Sequence, residues 1–299
     1  MKVVSRSLSL LLAALLACVH AAAAQERPLV VSTNTILHDL VLQVAGNAVR
    51  ADCLLTAGAD PHAYEPKPAD IRRVAGAGLV VANGLGYEGW IEKLVKNSGF
   101  RGEVAILSTG ITPLVATGEP DHDHGEIDPH AWQDVRNVIR YVENLRQALD
   151  RLLPAEASAI DARATAYTRE LEALHAYAAS TLGAIPSGHR KLVTSHDALG
   201  YFGRAYGLVI VPIAGLSTEQ EPNARQLAQL IKHIRAENVP AVFIESTANP
   251  KLARLLAEEA GVKVAPALYT DSVGPEGSPT ATYAGLIHHN VDTIAAALR

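Results

Sequence analysis

The tripeptide Asp-Pro-His occurs twice in this chain, as Asp60-Pro61-His62 and as Asp128-Pro129-His130. Histidine is the commonest metal-ligating side chain, and a proline in front of it fixes φ and stiffens the loop that presents it. A third histidine, His196 in Thr194-Ser195-His196-Asp197, closes a run that reads as a strand, and Asp271 in Tyr269-Thr270-Asp271-Ser272 closes another. Three imidazoles and one carboxylate can complete a tetrahedral metal site. A lone histidine is usually a surface or core residue, and the chain has 12. His38, His175, His189, His233, His288 and His289 are assigned to that ordinary class. The repeated motif and the shared position at strand ends set the other three apart.

The elements that must carry these residues alternate short apolar runs with amphipathic ones. Strands are expected at Leu29–Thr33, Val49–Leu55, Leu79–Ala82 and Val104–Leu107, with helices at Thr35–Gly46, from Pro68 to about Ala75, and at Trp90–Lys96. The second half repeats the alternation, with strands at Lys191–Thr194, Val209–Pro212, Val242–Ile244 and Val262–Leu268. Its helices are expected at Ala198–Tyr206, Asn223–Asn238, from Asn249 to before Gly261, and at Tyr283–Leu298. Continuous apolar strands separated by helices predict parallel sheets covered on both faces. Ligands of such sheets bind beyond the carboxyl ends of the strands, where the four candidates fall.

Between the halves, Asp134–Leu153 and Ala155–Leu182 read as helices interrupted by Pro154, rich in alanine, leucine, arginine and glutamate. The second would span roughly 40 Å, which suits a stiff connector between two α/β lobes; a helical hairpin packed on one lobe is the alternative. The expected division is a leader at 1–24, a first lobe at 25–154, a connecting helix at 155–185 and a second lobe at 186–299. His62 and His130 then come from one lobe and His196 and Asp271 from the other, which places the site in the cleft between them.

The amino terminus carries an address. Lys2 and Arg6 precede the apolar run Leu8–Val19, and Ala22-Ala23-Ala24 before Gln25 offers a small-residue cleavage site. That run is too short to span a bilayer, so an exported, periplasmic protein is expected. Leu15-Leu16-Ala17-Cys18 loosely resembles a lipoprotein box, which makes a lipid anchor at Cys18 the alternative. Cys53 is the one other cysteine, so no disulfide forms within the mature chain once the leader is removed. A net charge of −5 gives no basic footprint for nucleic acid.

The ordered motifs resemble those of cluster A-I solute-binding proteins, which serve ABC importers of zinc and manganese. Gly58-Ala59-Asp60-Pro61-His62-Ala63-Tyr64-Glu65-Pro66 is followed by Asn83-Gly84-Leu85-Gly86-Tyr87-Glu88 and Asp128-Pro129-His130-Ala131-Trp132. Then come Thr194-Ser195-His196-Asp197-Ala198-Leu199-Gly200-Tyr201-Phe202, Ser217-Thr218-Glu219-Gln220-Glu221-Pro222 and Asp271-Ser272-Val273-Gly274, across essentially the whole mature chain. The resemblance implies two α/β lobes joined by one rigid backbone helix, with His62, His130, His196 and Asp271 as ligands. It implies as partners an ABC permease and, through it, an ATPase subunit, with the binding protein itself expected to be a monomer. The family has histidine or glutamate at the third position, and here it is His196.

Three nitrogens and one oxygen suit Zn²⁺, whereas Mn²⁺ or Fe²⁺ would gain if Asp271 bound through both oxygens. Asp121-His122-Asp123-His124-Gly125-Glu126 lies where zinc-specific relatives carry a histidine-rich acidic loop. His122 and His124 are therefore secondary candidates for metal acquisition, against a plain solvated loop. Other motifs do not carry the function. Gly84-Leu85-Gly86-Tyr87-Glu88-Gly89 fits a dinucleotide fingerprint, but the following strand ends in Ser108-Thr109 rather than an acid, so a tight turn is expected. Ser195-His196-Asp197 names a triad that adjacent residues cannot assemble. The function expected is capture of Zn²⁺ for an ABC permease rather than catalysis. Its rivals are a manganese or iron carrier of the same fold, a zinc hydrolase in which one of the four is not a ligand, and a nicotinamide-dependent oxidoreductase.

Overall fold

The computed structural model describes residues 26–115, 127–217, 223–237 and 239–299. The proposed leader with Cys18 and His20, the segment with His122 and His124, and residues 218–222 lie outside them. Two four-stranded, all-parallel sheets form the frame. In the first, β1 (Leu29–Ser32), β2 (Arg50–Cys53), β3 (Leu79–Ala82) and β4 (Glu103–Ile106) lie in the order β2-β1-β3-β4. Two-residue strands β5 (Leu114–Val115) and β6 (Ile127–Asp128) follow as an antiparallel ladder. The second sheet contains β7 (Lys191–Thr194), β8 (Val209–Pro212), β9 (Ala241–Glu245) and β10 (Lys263–Leu268), in the order β8-β7-β9-β10. Counted from the first strand of each sheet, both orders read 2-1-3-4, so the two lobes repeat one topology. The expected two-lobed α/β fold is the one the chain adopts.

Side chains alternate across each strand, and the core divides accordingly. Val31 and Val80 turn outward onto Val74 of α2 (Pro68–Ala75) and Leu94 of α3 (Ile91–Ser98). In the second lobe Val193 and Val242 do the same against Ile234 of α7 (Ala224–Ala236) and Leu256 of α8 (Pro250–Ala260). The opposite faces, with Val30, Leu79 and Val81 on one side and Leu192 and Phe243 on the other, belong to a single core that runs through both lobes. Long helices fill it: α1 (Thr35–Ala45), α4 (Val135–Leu152), α5 (Ala157–Gly183) and α9 (Tyr283–Leu298), with the short α6 (Gly200–Tyr206) beside them.

Helix α5 buries Ile160, Ala164, Tyr167, Leu171, Leu174, Ala178 and Leu182, a stripe at three- and four-residue spacing along its whole length. It packs on α1 and α4 of the first lobe and on α6 and α9 of the second. The helix is thus both a connector and the second arm of a hairpin with α4, turned by a 3₁₀ segment at Pro154–Glu156. That turn delays its start to Ala157. Polar residues and glycine punctuate other helices. Asn34, Asp134, Asn249 and Thr282 each accept a backbone N–H at the start of a helix, and Gly261 ends α8 at φ +73°.

Candidate metal centre

Each candidate ligand sits beyond the carboxyl end of a strand, held by a short-range device. His62 lies in the loop from β2 to α2, where Asp60 Oδ1 accepts its backbone N–H at 2.9 Å. His130 follows β6, and Asp128 Oδ1 accepts its backbone N–H at 2.9 Å while standing 2.8 Å from its Nδ1. The first lobe's pair of candidate ligands therefore draws on the small β5–β6 ladder as well as on the main sheet. Asn83 Nδ2 donates to Pro129 O at 2.9 Å and fixes the same loop from β3. His196 stands two residues past β7, with its carbonyl accepting from Thr194 Oγ1 at 2.9 Å. Asp271 stands three residues past β10.

These four side chains converge. One ligand atom from each of His62, His130, His196 and Asp271 lies within 4.8 Å of all the others. His62 Nε2 and His130 Nε2 are 3.3 Å apart, His130 Nε2 is 3.5 Å from Asp271 Oδ1, and His196 Nε2 is 3.2 Å from Asp271 Oδ2. Donors about 2.0–2.1 Å from a tetrahedral zinc are separated by about 3.4 Å. The three spacings of 3.2–3.5 Å lie near that edge length, with His130 facing Oδ1 of Asp271 and His196 facing Oδ2. His130, His196 and Asp271 are fully buried and His62 is partly exposed, so His62 is on the solvent side of the cluster. Asp271 Oδ1 is buried with no hydrogen-bond partner among the described residues. A buried carboxylate oxygen in that position is costly unless a cation meets it.

The electrostatics distinguish the imidazoles. Burial pushes His62 down to about 4, so it is neutral at physiological pH. Burial also pushes His196 down, but the carboxylates of Glu245 and Asp271 outweigh it and leave His196 well above its usual value. Asp271 is pushed up by burial and held well below the ordinary carboxylate range by His196 first, then His130 and His62. The cluster therefore keeps an ionised carboxylate among imidazoles, buried except on the side of His62.

Sequence reasoning missed Glu245. Its Oε1 accepts the backbone N–H of His196 at 2.9 Å, and its Oε2 lies 2.7 Å from His196 Nδ1. The available signal was the same as for the candidate Asp271, a carboxylate ending an apolar run, Ala241-Val242-Phe243-Ile244-Glu245. Thr247 and Thr270, whose hydroxyls approach Asp271 Oδ2 at 3.3 Å, were also missed.

Contacts between the lobes surround the cluster. Trp132 Nε1 and Gln133 Nε2 both donate to Thr270 O at 2.8 Å. Ser272 Oγ accepts from Gly58 N at 2.8 Å and stands 3.1 Å from Thr35 Oγ1. Tyr201 OH accepts from Leu114 N at 2.8 Å and donates to Asp128 O at 3.2 Å.

The other motifs have structural roles. Gly84, Leu85 and Gly86 all take positive φ, and the Glu88 carboxylate folds back to accept Asn83 N and Gly84 N. Those amides, which would face a pyrophosphate in a dinucleotide site, are engaged within the turn. Ser195 Oγ accepts Glu245 N at 3.3 Å, a contact within the sheet edge. His175, His189 and His289 contact Tyr206 OH, Leu298 O and Ala267 O away from the cluster.

Comparison with known proteins bears on the same site. Residues 30–297 match the family described as ZnuA, zinc-uptake complex component A, periplasmic. The manganese-binding lipoprotein MntA of Halalkalibacterium halodurans is 35% identical over 269 residues, which cover 90% of this chain and 88% of that protein. The iron-binding protein YfeA of Yersinia pestis is 36% identical over 266 residues, covering 89% of this chain and 85% of that one. The solved structure of the periplasmic zinc-binding protein TroA from Treponema pallidum superposes with a TM-score of 0.85 at 32% identity, over 91% of this chain and 99% of TroA.

Proposed function

The chain belongs to the zinc-uptake complex component A family, and on that premise we propose that it captures Zn²⁺ between its lobes and delivers it to an ABC permease in the inner membrane. The observation that carries this reading is the cluster itself: three imidazoles and one carboxylate, drawn equally from two lobes, with one donor atom of each within 4.8 Å of the others. His62, His130, His196 and Asp271 are its proposed ligands. Four protein donors fill a zinc tetrahedron, whereas catalytic zinc keeps a position for water. This favours a carrier over a zinc hydrolase. Competitive titration of metal-free protein with Zn²⁺, Mn²⁺ and Fe²⁺, with elemental analysis of the purified form, tests the metal. Replacing His62, His130 or His196 by alanine should each weaken binding severely, and an unchanged Kd would remove that residue from the site.

One observation favours a second reading. Asp271 presents Oδ1 toward His130 and Oδ2 toward His196, so it can bind through both oxygens and raise the coordination number. A manganese or iron carrier of the same fold would use it so, and the names of MntA and YfeA fit that alternative. Tighter binding of Mn²⁺ than of Zn²⁺ would decide for it.

The remaining elements of the proposal concern the rest of the chain. Residues 1–24 are proposed to be an export signal and the mature protein a periplasmic monomer of two lobes, at 25–154 and 186–299, about a connecting helix at 155–185. No helix among the described residues is long and apolar enough to cross a membrane. Relatives named as lipoproteins make acylation at Cys18 the alternative for the amino terminus, and the mass of the purified protein separates the two. His122 and His124 are proposed to assist acquisition; deleting residues 120–125 should slow zinc loading more than it changes equilibrium affinity.

A further inference from the structure

Strand β9 lies between β7 and β10, so its last residue, Glu245, stands between the two loops that carry His196 and Asp271. The Glu245 side chain is fully buried. Oε1 accepts the backbone N–H of His196 at 2.9 Å. Oε2 lies 2.7 Å from His196 Nδ1 and accepts the hydroxyl proton of Thr270, the neighbour of Asp271, at 2.8 Å. One carboxylate thus touches both loops of the second lobe's half of the site, without being a member of the ligand cluster.

We propose that Glu245 is a positioning residue for the cargo metal, holding the His196 proton on Nδ1 so that the Nε2 lone pair faces the site, and fixing the distance from that nitrogen to Asp271. The inference rests on the reading of His196 as a ligand. A neutral imidazole has one N–H, and the group facing each ring nitrogen determines which one carries it. Of the two ring nitrogens, Nδ1 is the one that faces an acceptor outside the cluster, Glu245 Oε2 at 2.7 Å, so the proton is assigned to it. Nε2 is left facing Asp271 Oδ2 at 3.2 Å, at the cluster. In the first lobe Asp128 does the same for His130 from two residues away within one loop. Glu245 acts across 49 positions of sequence and serves two loops at once. It therefore sets a nitrogen-to-oxygen edge of the coordination polyhedron. A short, fixed edge suits a four-coordinate ion with bonds near 2 Å better than a larger ion that recruits more oxygen.

The Gln variant tests this. In E245Q the amide must place N–H donors either against His196 Nδ1 or against the backbone N–H of His196. The first arrangement moves the imidazole proton to Nε2, and the second sets two donors against each other. Zinc affinity should fall about 10- to 100-fold, and X-ray absorption of the zinc-loaded variant should count two imidazoles where the wild type has three. Affinity for Mn²⁺ should fall less, narrowing the preference between the metals. Wild-type affinity with three imidazoles in E245Q would overturn the proposal. His196→Ala is measured alongside. If His196→Ala weakens binding while E245Q does not, the role of Glu245 alone falls; if neither changes it, the ligand assignment falls as well. Should E245Q not fold, long-range ¹H–¹⁵N spectra of zinc-loaded wild-type protein labelled at histidine give the answer directly. A proton on His196 Nδ1 with metal on Nε2 supports the proposal, and metal on Nδ1 overturns it.

Discussion

Gly200, at the start of α6 in the second lobe, lies so close to Asp128 of the first lobe that a Cβ on it would stand 2.7 Å from Asp128 Oδ2. The same carboxylate, through Oδ1, holds both the backbone and the imidazole of His130. Closure of the lobes and orientation of a proposed metal ligand therefore meet at one side chain, and the absence of a side chain at position 200 is what lets them coexist.

Gly200→Ala should weaken zinc binding about tenfold although it touches no ligand. The added methyl also stands 2.9 Å from Leu114 Cδ2, a partly exposed side-chain end that can turn aside, so the cost falls on Asp128, whose other oxygen is tied to His130. Overpacking of this kind costs about 1–3 kcal/mol. Competition titration against a chelator of known affinity measures the change. Wild-type affinity would show that the lobes can part there at no expense.

Asp128→Ala should lower zinc affinity about 10- to 100-fold by freeing the His130 ring to turn and to change tautomer. Combined with Gly200→Ala, the loss should be smaller than the sum of the two, since the methyl then has no carboxylate to displace. Strict additivity in this double-mutant cycle would separate the two effects.

Zinc binding should release a proton from His196. In the metal-free protein the Glu245 and Asp271 carboxylates, against the effect of burial, hold His196 well above its usual value, so it is protonated at pH 7. Metal needs the neutral ring, so protons compete and affinity falls as pH falls, by about tenfold per unit for one displaced proton. His62, near 4, joins the competition only in more acid solution. Calorimetry at pH 7 in two buffers of different ionisation enthalpy counts the protons released. A count of zero, or affinity that is flat from pH 8 to pH 5, would contradict this arrangement.

Glu88→Ala should destabilise the metal-free protein by about 3 kcal/mol or more, because three donors lose their acceptor in a buried place. They are Thr33 Oγ1, Asn83 N and Gly84 N, at 2.6, 2.7 and 3.1 Å from the Glu88 carboxylate. Asn83 also holds the Pro129 carbonyl, so zinc affinity should fall with stability. Urea denaturation monitored by tryptophan fluorescence measures the first effect and chelator competition the second.

Features that depend on neighbours in sequence were legible from the residues. The bounds of α8 follow from Asn249, Pro250 and Gly261, whose capping and left-handed geometry act within one turn. The Asp-Pro-His loops were legible for the same reason, since each aspartate accepts a backbone N–H only two residues away. The β5–β6 ladder was not, because two-residue strands have no periodicity to read. The sequence reading of α5 as a connector between the lobes, rather than part of a hairpin packed on one lobe, agrees with its continuous buried stripe, which packs on helices of both lobes and on α4.

The sequence by itself determined the residue types of the proposed site and their placement at strand ends, because residue chemistry and hydrophobic period are local properties. Only the tertiary structure decided which carboxylate orients which imidazole. Glu245 reaches His196 because the strand order sets β9 beside β7, and Gly200 reaches Asp128 because a core shared by both lobes brings α6 against the β5–β6 ladder. Such distances are set by packing between segments far apart in the chain, and no local pattern encodes them.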